Sequence, residues 1–138
     1  GHLEVNNEFG GLTQSDQKYD GKIRAKRISN DFEQLNTVIG IIATDAPLNR
    51  MQLKRMSIMC HGSISRSIHP SHTPMDGDTI FAISTSNKSN DVSEEISKLD
   101  LTIICSIASD TFSRACNRAI FEAKNIGGKP SWKDLFEN

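Results

Sequence analysis

Two short runs of this chain are almost wholly apolar and rich in β-branched side chains: residues 37–43 (TVIGIIA) and 79–85 (TIFAIST). Runs of that length without polar alternation read as strands buried on both faces, at the centre of a layered fold. Between them, Leu53, Met56, Cys60 and Ile64 recur at helical spacing. That spacing predicts an amphipathic helix over 50–67, with Lys54 and Arg55 on its other side. Asn49 followed by Gln52 is a capping-box pair at its start. A second stripe of Leu101, Ile104, Ala108, Phe112, Ala115, Ala119 and Ala123 predicts a helix over 101–125. Asp100 is its expected N-cap, and Gly127-Gly128 its stop.

The flanks are less regular. Residues 3–9 (LEVNNEF) read as a short strand closed by Gly10-Gly11, and 12–36 as polar and turn-rich, with a turn at 19–22. Pro70 and Pro74 bracket a loop over 69–78, residues 86–98 form a polar connection with a helical turn after Asp91, and the tail from Pro130 is expected to fold back and bury Trp132. The order strand, strand, helix, strand, helix places the chain in the α/β class. Two helices cover only one face of a sheet. The other face therefore needs a layer from another chain or from an N-terminal region outside this sequence.

Composition narrows the function classes. A chain of 138 residues with 36% hydrophobic content is one domain or part of a larger one. A net charge of −1 gives no electrostatic basis for binding nucleic acid or a membrane surface. No apolar run approaches the roughly 20 residues that cross a bilayer, and residues 1–30 lack a signal-peptide pattern. The basic cluster at 22–27 reads as a solvated hairpin face. Three widely spaced cysteines, Cys60, Cys105 and Cys116, all on predicted helices, read as reduced buried thiols and point to the cytoplasm. A Cys/His hydrolase needs its thiol at a strand-to-helix turn or a helix N-terminus. Cys60, beside His61, is at neither. His69 and His72 share a loop but are too few for a metal site, and read as loop structure or pocket wall.

Three segments together carry a family resemblance: residues 36–48 (NTVIGIIATDAPL), 72–82 (HTPMDGDTIFA) and 130–135 (PSWKDL). They resemble the L-aminopeptidase/D-esterase (DmpA-like) family, which includes the β-peptidyl aminopeptidases. Residues 5–10 (VNNEFG) look like the last strand of that family's α-subunit. The resemblance implies a precursor that cuts itself before a Ser or Thr, its two products staying together as α and β subunits in an αββα sandwich. The matching bond is Asn36–Thr37. Residues 1–36 would then be the tail of an α-subunit-like region, and 37–138 the β-subunit-like catalytic portion. An N-terminal α-subunit-like region is the implied partner, with a homo-oligomer expected.

The chemistry of Thr37 follows from its position after such a cut. A threonine hydroxyl is a weak nucleophile without an adjacent base. As a first residue it has its own α-amine, which titrates at about pH 7.7–8.0 and can accept the proton. The resemblance assigns the oxyanion donor to Asn6 or Asn7, which the residues alone do not separate. It assigns orientation of the amine to Asp76 and Asp78, which also fit a tight turn before a strand. It implies hydrolysis of small peptides or amides without metal or organic cofactor. Ornithine acetyltransferases are related and transfer acyl groups, but typically carry Ala-Thr-Met at the cut where this chain has Leu-Asn-Thr-Val. A further alternative is a non-catalytic fragment that only assembles.

Overall fold

The computed structural model describes residues 6, 8, 9, 37–74, 76–87, 96–128 and 130–136. The turn at 19–22, the basic cluster at 22–27, Gly10-Gly11, the polar linker, Asn7, Asn36 and the expected turn after Asp91 lie outside the described residues. The elements run β1 (Ile39–Thr44), α1 (Arg50–Ser67), β2 (Thr79–Ser84), α2 (Lys98–Glu122) and α3 (Trp132–Phe136). β1 and β2 pair in parallel, from Ile39 opposite Thr79 to Thr44 opposite Ser84. A parallel pair needs a crossover, and α1 supplies it. The class is α/β, with a two-stranded parallel sheet among the described residues.

Helix α1 has the limits its pattern predicts. The Asn49 side chain accepts from the Met51 and Gln52 amides, and the Gln52 side chain accepts from the Asn49 amide, at 2.8 to 3.0 Å. Three backbone donors at the helix start are thereby satisfied, those of Asn49 and Gln52 reciprocally. α2 begins earlier than expected. Its N-cap is Ser97, whose hydroxyl accepts the Asp100 amide at 3.0 Å and donates to the Asp100 carboxylate at 2.7 Å. Asp100 is thus the third helical residue and not the cap; its carboxylate lies at the positive end of the helix dipole. α2 closes at Glu122, and Gly127 and Gly128 then turn the chain at φ 58° and 75°. Among residues 3–9, the described Asn6, Glu8 and Phe9 form a turn and not a strand.

The core lies between α1, α2 and the inner face of the sheet. Leu48, Met56, Cys60, Ile64, Ile80, Cys105, Ala108 and Phe112 are buried there, with Ile42, Leu53, Ala82 and Leu101 packed around them. Gly40 is the point of closest approach. A Cβ on it would overlap the ring edge of Phe112, at Cε2 and Cζ.

The buried stripe of α2 also departs from expectation. Ala115, Ala119 and Ala123 are exposed, while Cys105, Ser109 and Ser113 are buried. The reason is a serine ladder against α1. Ser63 donates to the Ser109 carbonyl at 2.6 Å, Ser109 to the Met59 carbonyl at 3.2 Å, and Ser67 to the Ser113 carbonyl at 3.2 Å. Small side chains let the two helices approach; the Ser63, Ser67 and Ser109 hydroxyls are satisfied by the facing backbone, and that of Ser113 by the Ser67 hydroxyl. Arg66 closes one end on Ser109 and Asp110, at 2.9 and 3.1 Å.

At the other end of α2, Trp132 is half-buried against Phe121, with ring centroids 5.7 Å apart. The tail therefore folds back as expected. Ser131 and Asp134 bond reciprocally, and the Ser131 amide holds the Asp134 carboxyl below its usual range.

Among the described residues nothing covers the sheet's second face. Ile39, Ile41, Phe81 and Ile83 are 74%, 63%, 56% and 42% exposed. Parallel sheets are ordinarily covered on both faces, so this exposed apolar surface is unusual for such a sheet. Among the described residues no helix is long and apolar enough to cross a membrane.

Candidate active site

Thr37 lies two residues ahead of β1 and is exposed. The loop before β2 meets it there. A Cβ on Gly77 would sit 3.3 Å from Thr37 Oγ1 and 3.7 Å from its Cγ2. The absent side chain thus leaves the hydroxyl room against the loop.

On either side of Gly77 the two carboxylates have distinct partners. Asp78 is 6% exposed at its side chain; its Oδ1 accepts the Val38 amide at 3.0 Å, and its Oδ2 lies 3.1 Å from His72 Nδ1. The neighbouring backbone bond, Thr79 amide to Val38 carbonyl at 2.8 Å, begins the parallel ladder. Asp76 closes the loop on itself: its Oδ2 accepts the Thr73 amide at 2.7 Å and its amide donates to the Thr73 carbonyl at 3.0 Å. Both carboxylates therefore spend hydrogen bonds on backbone. Asp78 fixes the residue next to Thr37, and Asp76 fixes the loop that presents Gly77.

The structure thus brings Thr37 together with Gly77 and Asp78, and sets Asp76 in the adjoining loop. Asn6 is on a different element. It sits in an exposed turn at φ 54°, a backbone region Asn tolerates better than most residues. Its neighbours dock on α2: Glu8 takes a two-pronged bond from Arg114, each arm 2.8 Å, and Phe9 packs on Phe121. Sequence reasoning treated His72 as loop or pocket wall, yet it is the direct partner of Asp78. No periodicity signals such a pairing, because it is made within an irregular loop.

The cysteines offer no competing nucleophile. All three are free, and Cys60 and Cys105 are buried. Burial, with the Cys105 thiol adding to it, pushes the Cys60 thiol up to about 11, and burial raises Cys105 and Cys116 as well. A thiol held protonated is a poor attacking group. Among the described residues no three His, Cys, Asp or Glu side chains are grouped to hold a metal ion.

Comparison with known proteins bears on this site. The model of peptidase family S58 matches residues 2–132. An uncharacterized aminopeptidase of Mycobacterium tuberculosis (strain ATCC 25618 / H37Rv) is 34% identical over 109 residues, which is 73% of this chain and 31% of that protein. An uncharacterized aminopeptidase of Mycobacterium leprae (strain TN) is 31% identical over 116 residues, 80% of this chain and 32% of that protein. A 6-aminohexanoate-oligomer endohydrolase of Paenarthrobacter ureafaciens is 38% identical over 61 residues, 44% of this chain and 17% of that protein. The chain spans about a third of the length of the two aminopeptidases.

Proposed function

Because the chain belongs to peptidase family S58, we propose that it is the nucleophile-bearing portion of a self-processing hydrolase of peptide or amide bonds. Thr37 is the nucleophile. The observation that carries this reading is the placement of Thr37 Oγ1 against Gly77 while Asp78 holds the Val38 amide. A backbone clamp one residue from a hydroxyl keeps that hydroxyl, and the nitrogen beside it, in a fixed position. Fixed geometry is what both self-cleavage and turnover require.

In the first step Thr37 Oγ1 attacks the Asn36 carbonyl carbon through a five-membered ring. The carbon–nitrogen bond breaks, the hydroxyl proton passes to the departing nitrogen, and an ester to Thr37 forms. Water hydrolyses the ester, leaving the Asn36 carboxylate and a free Thr37 amine. In turnover that amine takes the hydroxyl proton as Oγ1 attacks the substrate carbonyl, then returns it to the leaving amine. Water then releases the acyl group. The amide beside the nucleophile is already given to Asp78, so the developing oxyanion needs a donor from elsewhere. Asn6 or Asn7 fills that role in this proposal, and Asp76 and Asp78 orient Thr37.

The exposed apolar sheet face supports a partner layer in this proposal. An N-terminal α-subunit-like region supplies the second sheet and outer helices, completing an αββα sandwich over Ile39, Ile41, Phe81 and Ile83. Small peptides or amides are the substrate class, in keeping with hydrolase names among the relatives.

The test is turnover by the full-length protein on an aminoacyl p-nitroanilide. Release of p-nitroaniline should appear in step with cleavage before Thr37. An uncut protein with full activity would sink the proposal. Gly77 gives a finer check. Gly77→Ala puts a methyl 3.3 Å from Thr37 Oγ1, so turnover should fall about tenfold through misplacement of the hydroxyl. The melting temperature should move by no more than about 2 °C, because the strain falls on an exposed side chain.

A further inference from the structure

The loop from α1 to β2 carries a three-link chain of which the proposed chemistry has used only the Asp78–Val38 bond. Asp78 bonds the Val38 amide through Oδ1 and faces His72 Nδ1 through Oδ2, at 3.0 and 3.1 Å. His72 Nε2 lies 3.0 Å from the His61 carbonyl, on α1. A carbonyl oxygen only accepts, so Nε2 donates; the carboxylate likewise takes a donor from Nδ1. With both ring nitrogens facing acceptors, the ring is held between the Asp78 carboxylate and the α1 backbone. The His61 ring stands beside it, centroids 5.4 Å apart. The residue holds this pose at φ 55°, in the left-handed region that non-glycine residues seldom occupy.

We propose that His72 is a positioning residue for Thr37: it ties the Asp78 carboxylate to the α1 backbone, and Asp78 in turn fixes the start of β1. This rests on the reading of Thr37 as nucleophile. A carboxylate with one free oxygen can rotate about its own bond. With both oxygens engaged, at 6% exposure, Asp78 has one orientation and the Val38 amide has one place. His72 touches neither Thr37 nor the scissile bond in this account. Its effect falls on geometry, and therefore on kcat more than on KM.

The experiment compares His72→Asn, His72→Gln and His72→Ala in the full-length protein. The amide nitrogen of Asn stands where Nδ1 stands and can donate to Asp78. That of Gln stands nearer Nε2 and can donate only to His61. Self-cleavage rate, kcat and KM on an aminoacyl p-nitroanilide are measured beside a thermal melt. The melt separates out the preference of Asn for the left-handed region. His72→Gln and His72→Ala should lose at least about tenfold in both self-cleavage rate and kcat, with KM within about twofold. His72→Asn should keep at least about a third of both rates. Equal losses in the Asn and Gln variants, or none in any variant, would overturn the positioning role while leaving Thr37 in place. If Thr37→Ala matches the wild type in cleavage and turnover, the nucleophile reading falls and the role of His72 with it.

Discussion

Replacing Thr37 with alanine is expected to leave the Asn36–Thr37 bond whole and to lower amide turnover by at least about a thousandfold. Alanine removes the one atom of the chain that, in the proposal, attacks either amide carbonyl. The precursor then cannot form its ester, so the amine that serves as base is never released. The two losses compound, because the base exists only if the nucleophile has already acted. Thr37→Ser keeps the oxygen and drops the methyl, whose carbon would lie 3.7 Å from a Gly77 Cβ. Serine should cleave itself and turn over, more slowly, since loss of β-branching frees the χ1 angle. A cleaved alanine variant would contradict the account directly.

Gly40→Ala should destabilise the protein by roughly 3 kcal/mol, the upper part of the range for overpacking a closed core. The new methyl would overlap Cε2 and Cζ of Phe112. Phe112 is 7% exposed and packs among Ile80, Cys105 and Ala108, so the ring has little space to retreat. The expected drop in melting temperature is on the order of 10 °C for a domain of this size. Gly40→Ala with Phe112→Leu should regain part of it, because the smaller side chain gives up the contested volume. A single variant that melts within about 2 °C of the wild type would show that β1 and α2 separate more easily than the contact implies.

How far the chain is legible in advance depends on whether the information is local. α1 is readable to the residue because Asn49 and Gln52 form their cap within four positions. The strands are readable because apolar β-branched runs leave few alternatives. α2 is misjudged at its start because Ser97 and Asp100 are both good caps, and the two bond each other. Its buried stripe is misjudged for a different reason. Serine reads as polar, yet Ser109 and Ser113 lie inside because Ser63 and Ser67 face them across the helix pair. Periodicity of apolar residues cannot register a polar ladder between two elements. Segment 3–9 has strand composition, but its described part turns and docks by the bonds of Glu8 to Arg114.

The site divides in the same way. Thr37 and the Asp76-Gly77-Asp78 turn stand out by sequence, since they flank the two apolar strands. Their proximity follows from parallel pairing, which sets the entries of β1 and β2 side by side. The allocation of bonds was not legible. Asp78 serves the Val38 amide, Asp76 serves its own loop, and His72 supports Asp78. Each depends on loop geometry with no periodic signature. The exposure of one sheet face agrees with the expectation that two helices cannot cover both sides of an apolar sheet: Ile39, Ile41, Phe81 and Ile83 lie exposed among the described residues.

The central claim, that Thr37 is a nucleophile exposed by self-cleavage, is tested most directly by intact mass spectrometry of the full-length protein under denaturing conditions. The account predicts two chains whose masses meet between Asn36 and Thr37, and a single uncut mass for Thr37→Ala. A wild-type protein that hydrolyses amides while showing one full-length mass, or a cut at any other bond, would contradict it.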